Sequence, residues 1–199
     1  MLSRMNRHRA LRLLALMAAL SLMLAAVACG DDEGGGSDAQ ELTLNGQKTV
    51  LTLNEGVVAV LEQNKLKAAP VAPAAPDDAG VQFPITGGSV NSETLAGSIE
   101  HSGGLRFSVG RETLEVTDFV ADTESGNLIA TAGAAELPIL ALDLTGVKKS
   151  TKGGAIVASG ITASLTGYGA AAMNAILGVK IFKEGLALGE LTVTATAVS

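Results

Sequence analysis

The chain is short of the side chains that usually carry chemistry. Its 199 residues hold one cysteine (Cys29), no tryptophan, one tyrosine (Tyr168), four phenylalanines and two histidines (His8 and His101). A single thiol excludes internal disulfides, thiolate-based metal sites and thiol catalysis in anything that follows Cys29. The scarcity of aromatics implies a core of Val, Leu, Ile and Ala. No G-x-S-x-G elbow is present, so a serine nucleophile has no framework, and Ser102, adjacent to His101, lies in a turn that gives no directed Ser to His geometry. The carboxylates are scattered. Asp118, Asp122, Glu124 and Asn127 match no loop spacing that holds calcium. Enzyme activity is not expected.

What is present begins at the N-terminus. Arg4, Arg7, Arg9 and Arg12 precede an uncharged apolar run from Leu13 to Ala28, the layout of an export signal. The run approaches the length that spans hydrocarbon, leaving an uncleaved anchor as the alternative. A Gly30-Asp31-Asp32-Glu33 exit without a basic stop-transfer signal favours cleavage. Leu24-Ala25-Ala26-Val27-Ala28-Cys29-Gly30-Asp31 resembles the lipobox of bacterial lipoproteins, which implies residues 1–28 as signal peptide and Cys29 as the lipidated first residue of the mature chain. Two acyl chains make such an anchor stable, whereas one holds only marginally. Residues 29–41, with Gly34-Gly35-Gly36-Ser37-Asp38, read as a flexible tether. The expected location is extracytoplasmic, with the membrane as partner through the lipid. Loss of the four arginines leaves ten of the 14 Lys and Arg against 20 Asp and Glu, a formal charge of −10. That balance argues against nucleic acid as a partner.

Residues 42–199 are expected to form one mainly β domain, an antiparallel sheet arranged as a sandwich or partly open barrel, with two short helices. Leu140, Leu142 and Leu144 alternate with polar or small neighbours, as do Leu114 and Val116, and Leu191, Val193, Ala195 and Ala197 alternate with threonines. Period two marks strands with one wet face. Gly87-Gly88, Ser102-Gly103-Gly104, Gly110-Arg111, Ser125-Gly126-Asn127 and Gly153-Gly154 punctuate them as hairpin turns. A change of phase across Gly189-Glu190 predicts a bulge or bend. Asn54 is placed to cap one helix containing Val57, Val58 and Leu61. Thr166 is placed to cap another containing Met173, Ile176 and Leu177, with Gly178 as its stop. Each helix follows an alternating run and precedes an extended one, a weak repeat that predicts both as plugs at a sheet edge or barrel mouth. Pro70, Pro73 and Pro76, with Asp77-Asp78, are expected in the longest surface loop.

Val81-Gln82-Phe83-Pro84-Ile85-Thr86-Gly87-Gly88 and Leu95-Ala96-Gly97-Ser98-Ile99-Glu100-His101-Ser102-Gly103-Gly104-Leu105 resemble the middle of HtaA-type domains. Leu140 to Leu144, and Ala171 to Leu177 with Phe182 and Gly185, resemble that family's later strand and last helix. The resemblance covers about residues 80–199. It implies a β-rich envelope module associated with haem or haemoprotein acquisition, haem as ligand rather than resident cofactor, and His101 on the family's histidine position. The family's haem-ligating tyrosine has no counterpart in residues 42–80, which contain no Tyr.

Two side chains remain as candidate ligand groups. His101 can offer a neutral imidazole to a metal; the preferred reading is that it hydrogen-bonds its own Ser102-Gly103-Gly104 turn. Tyr168, at a helix start, can offer a phenolic oxygen to iron, but an aromatic there more often packs its ring and leaves the hydroxyl wet. Gly167-Tyr168-Gly169-Ala170-Ala171-Ala172 mimics a dinucleotide fingerprint, yet no parallel sheet follows it. Its small residues instead suit close approach of the helix to the sheet. The competing class is a structural or adhesive envelope protein without a small ligand.

Overall fold

The computed structural model describes residues 40–198; Cys29, the leader before it and most of the tether lie outside the described residues. In chain order the elements are β1 (Glu41–Leu53), α1 (Glu55–Gln63), β2 (Lys67–Val71), β3 (Ala75–Asp77), β4 (Gly80–Asn91), β5 (Gly97–His101), β6 (Gly104–Val109), β7 (Glu112–Asp122), β8 (Asn127–Ala132), β9 (Ala135–Asp143), β10 (Lys148–Lys152), β11 (Ala155–Leu165), α2 (Gly167–Leu177) and β12 (Ala187–Val198).

Neighbouring strands pair antiparallel in the order β7-β5-β4-β1-β12-β11-β9-β8, and β8 pairs back onto β7. The sheet therefore closes into a barrel of eight strands, with the rest added outside that ring. Closure replaces the sandwich or partly open barrel that strand patterning alone left as choices, and it removes the sheet edges that unpaired strands would expose. β6 and β2 extend the wall beside the first half of β7, β3 lies on the start of β4, and β10 lies on β11.

Bulges supply the curvature. In β1 the register shifts between Leu44 and Gln47, with φ of 90° at Gly46 and 88° at Gln47. The inward set then passes from Leu44 to Thr49 and Leu51. Asp118, at φ 54°, does the same for β7, moving the buried phase from Leu114 and Val116 to Phe119 and Ala121. The irregularity expected near Gly189-Glu190 sits where Ala187 and Gly189 pair with Ser164 and Ala163, which leaves Leu188 as the extra residue. Extra residues bend a strand and increase its twist, which a small barrel requires.

Three turn and loop expectations are corrected. Gly87-Gly88 lies inside β4, at a bulge rather than a hairpin turn. Ser102-Gly103 does not reverse the chain, because β5 and β6 both run antiparallel to β7, one after the other along the same side. The proline-rich segment contains the short outer strands β2 and β3. β2 pairs only with β6 and β3 only with β4, so Pro70 and Pro76 lie on edge strands, where proline is tolerated. Gly110-Arg111, Ser125-Gly126 and Gly153-Gly154 are the hairpin turns their composition suggested.

Inward residues are apolar and outward ones largely Thr, Glu and Lys, as on β12, where Leu191, Val193 and Ala195 are buried and Glu190 is exposed. This polarity is the reverse of a membrane-spanning barrel, whose lipid-facing band is apolar.

Candidate functional site

Both helices gather at one end of the barrel, where β1, β11 and β5 finish and β4, β7, β9 and β12 begin. Thr166 caps α2 by accepting from the Gly169 N–H at 2.9 Å, and Gly178, at φ 65°, ends it in the left-handed conformation. α2 packs across β9 and β7, burying Ala170, Met173 and Leu177, with Met173 reaching the barrel interior. The approach depends on Gly169: a Cβ there would lie 2.3 Å from the Ile139 carbonyl oxygen. α1 covers the adjoining space with Val57 and Leu61. Asn54 occupies its cap position, but its side chain donates to the Ala187 carbonyl instead of closing the helix. The plug arrangement expected from the strand and helix repeat is thus present, although residues 179–185 after α2 form no strand. Asn174 holds that segment by bonding both the N–H and the carbonyl of Phe182.

His101 is the polar feature of the interior. The alternation of β5 turns Ile99 and His101 inward and Glu100 outward, and the phase of β1 after its bulge brings Thr49 to face it. His101 is 7 % exposed. Its Nδ1 lies 3.1 Å from the Phe119 carbonyl, an atom that only accepts, so Nδ1 carries the proton. Nε2 therefore accepts from the Thr49 hydroxyl at 2.7 Å. Burial lowers the His101 pKa from its ordinary value, opposed by hydrogen bonding to backbone carbonyls. The partners are Thr49 and Phe119, not the Ser102-Gly103-Gly104 turn. Strand phase decided this, because an inward side chain cannot reach back to a turn on the wall. Beside it Phe83 and Phe119 meet edge to face with ring centroids 5.2 Å apart. Thr49 carried no signal of its own in the sequence, since its role arises only when β1 and β5 pair on either side of β4, Thr49 beside Phe83 and His101 beside Ile85.

Tyr168 is elsewhere. It is 69 % exposed at the start of α2, so its ring does not pack as helix-start aromatics commonly do, and it does not line the interior beside His101. The two candidate ligands do not converge. Three cavities with largely apolar linings lie within the barrel and beneath its helices, of about 70, 80 and 80 Å³. By the measure in which one water needs about 10–15 Å³, each has room for a few small groups, and a porphyrin disc does not fit without opening the wall. With both ring nitrogens of His101 engaged, the residues present do not fit a haem held inside the barrel. Among the described residues no group of three or more His, Cys, Asp or Glu gathers to hold a metal ion. Asp122 instead accepts from Glu124, Ser125 and the Ser125 hydroxyl, and so builds the β7–β8 turn.

Solved structures of HtaA domains share the fold of this chain. It superimposes on the C-terminal domain of HtaA from Corynebacterium glutamicum with a TM-score of 0.61 at 14% identity, covering 79% of this chain and 99% of that domain. The N-terminal domain of the same HtaA gives 0.54 at 15% identity, over 78% and 99%. HtaB, described as a haem-binding protein of the same organism, gives 0.49 at 13% identity, over 80% and 96%. No family model matches the sequence, and no curated protein matches it.

Proposed function

We propose that this protein is a non-catalytic binding module of the bacterial envelope, held outside the cytoplasm by lipid on Cys29, and that its ligand is haem or a haemoprotein. The HtaA-type fold, matched over nearly the whole of each HtaA domain, is the observation that carries this reading. The residues narrow it. His101 is buried with both nitrogens engaged, so Tyr168, whose side chain stands in solvent, is the candidate axial ligand. Haem contact on that basis lies on the outer face near the start of α2.

Titration of the full chain with haemin tests the proposal. A Soret band that shifts and saturates is expected, with affinity at least tenfold weaker in Tyr168→Phe, about 1.4 kcal/mol, and unchanged in His101→Gln. Saturating haemin without spectral change leaves the structural or adhesive reading in its place. Lipid anchoring has its own test. Cys29→Ala is expected to abolish labelling by a fatty-acid probe and to leave the precursor uncleaved, and labelling that persists in the variant removes Cys29 from the proposal.

A further inference from the structure

We infer that the barrel interior is a second binding site, for an unbranched alkyl chain. The three cavities adjoin along the barrel axis. The first two share Ile99, Thr123, Leu144, Ile161 and Val193, and the first and third share Leu51, Leu105, Phe107 and Met173. They run from the loops around Leu95 and Val147 at the open end to Val57, Leu61 and Phe182 beneath the helices. Along β1 this is the stretch from Leu44 to Leu53. At about 3.3 Å per residue and a strand tilt of about 40°, it spans about 20 Å of axis. One leaflet's share of a bilayer's hydrocarbon, about 15 Å, is shorter than that.

The chemistry of the lining selects the ligand. The polar side chains that touch the cavities are already satisfied. Thr49 and His101 bond each other, and His101 also bonds Phe119. The Thr123 hydroxyl donates to the Leu95 carbonyl at 2.6 Å, and the Thr94 hydroxyl accepts from the Ala96 N–H at 3.2 Å. No buried polar side-chain atom among the described residues lacks a partner. A water in this space finds no two to four free groups to hold it. Unfilled, the lining forfeits dispersion contacts that a row of methylenes would restore. Small adjoining cavities with apolar linings and no free polar groups accept a flexible chain and refuse a rigid disc. The inference therefore does not depend on the haem reading.

The probe is cis-parinaric acid, whose fluorescence rises when its unbranched chain leaves water, titrated into the purified full chain. Saturation near one molecule per chain, with displacement by palmitate, is expected. Ile161→Phe and Val193→Phe, which fill the junction of the first two cavities, should each weaken binding at least tenfold while the cooperative thermal transition persists. Tyr168→Phe should leave it unchanged. Organic extraction of the purified chain followed by mass spectrometry distinguishes the sources, a free fatty acid or the acyl chain of a membrane lipid; either supports the site if Ile161→Phe, with the same Cys29 anchor, yields at least tenfold less, and equal yields count against it. Folded wild-type protein that neither binds the probe nor yields extractable lipid overturns the inference. So does probe binding that survives unchanged in a folded cavity-filling variant. Haemin titration of Ile161→Phe keeps the two proposals apart, because a surface haem site does not respond to a filled lumen.

Discussion

Replacing Gly169 by valine is expected to cost about 2–4 kcal/mol of unfolding free energy, the range of severe overpacking in a core. The first carbon of the new side chain would already lie 2.3 Å from the Ile139 carbonyl oxygen, which belongs to β9 and has no flexible end to move. The helix must withdraw from the barrel mouth, and with it go the buried contacts of Ala170, Met173 and Leu177. The Thr166 cap also loses its geometry, since its hydroxyl accepts from Gly169 itself. Chemical denaturation of wild type and variant measures the loss. The substitution Ala171→Val on the exposed side of the same helix is the control, with an expected cost of a few tenths of a kcal/mol from propensity alone. Equal costs at the two positions would show that close approach of α2 to β9 is not what holds the mouth shut.

Acid is expected to destabilise the domain below about pH 6.5, through His101. In the folded chain burial lowers the imidazole's pKa, while the unfolded chain keeps the ordinary value near 6.5. Between those two values the unfolded state binds a proton that the folded state refuses. The stabilisation is therefore complete above the unfolded value and is lost as pH falls toward the depressed folded one, with a slope of at most about 1.4 kcal/mol per pH unit for one proton. Asp77, Asp122 and Asp143 do not obscure this window, because hydrogen bonds lower their carboxyl pKa values from 3.8. His101→Leu should cost about 1–3 kcal/mol at neutral pH by leaving the Thr49 hydroxyl and the Phe119 carbonyl without a partner. It should also flatten the dependence as pH falls below about 6.5. Urea midpoints measured across that range report both effects, and a wild-type slope retained in the variant would show that another group is responsible.

Much of the architecture was legible because strands and caps are local. Alternation at Leu114 to Val116, Leu140 to Leu144 and Leu191 to Ala197 specifies which side chains face inward, whatever the partner strand. Thr166 and Gly178 bound α2 through bonds made within a few residues. Even the bulge beside Gly189 announces itself, since an extra residue shifts the phase of a period-two pattern. The mistaken turns share one cause. Glycine pairs such as Gly87-Gly88 serve a bulge inside β4 as readily as a hairpin, and composition does not distinguish the two.

The sequence by itself determined the polarity of the wall, the two helices with their boundaries, and, with no cysteine after Cys29, the exclusion of thiolate chemistry from the barrel. Only the tertiary structure decided that β8 returns to β7 and closes the barrel, that His101 faces Thr49 rather than its own turn, and that Tyr168 stands apart from both. Alternation follows from the backbone of each strand alone, whereas closure depends on register shifts accumulated around the ring, and the meeting of Thr49 with His101 depends on how β1 and β5 each register against β4 between them. Those shifts involve residues far apart in the chain, and no local pattern records them.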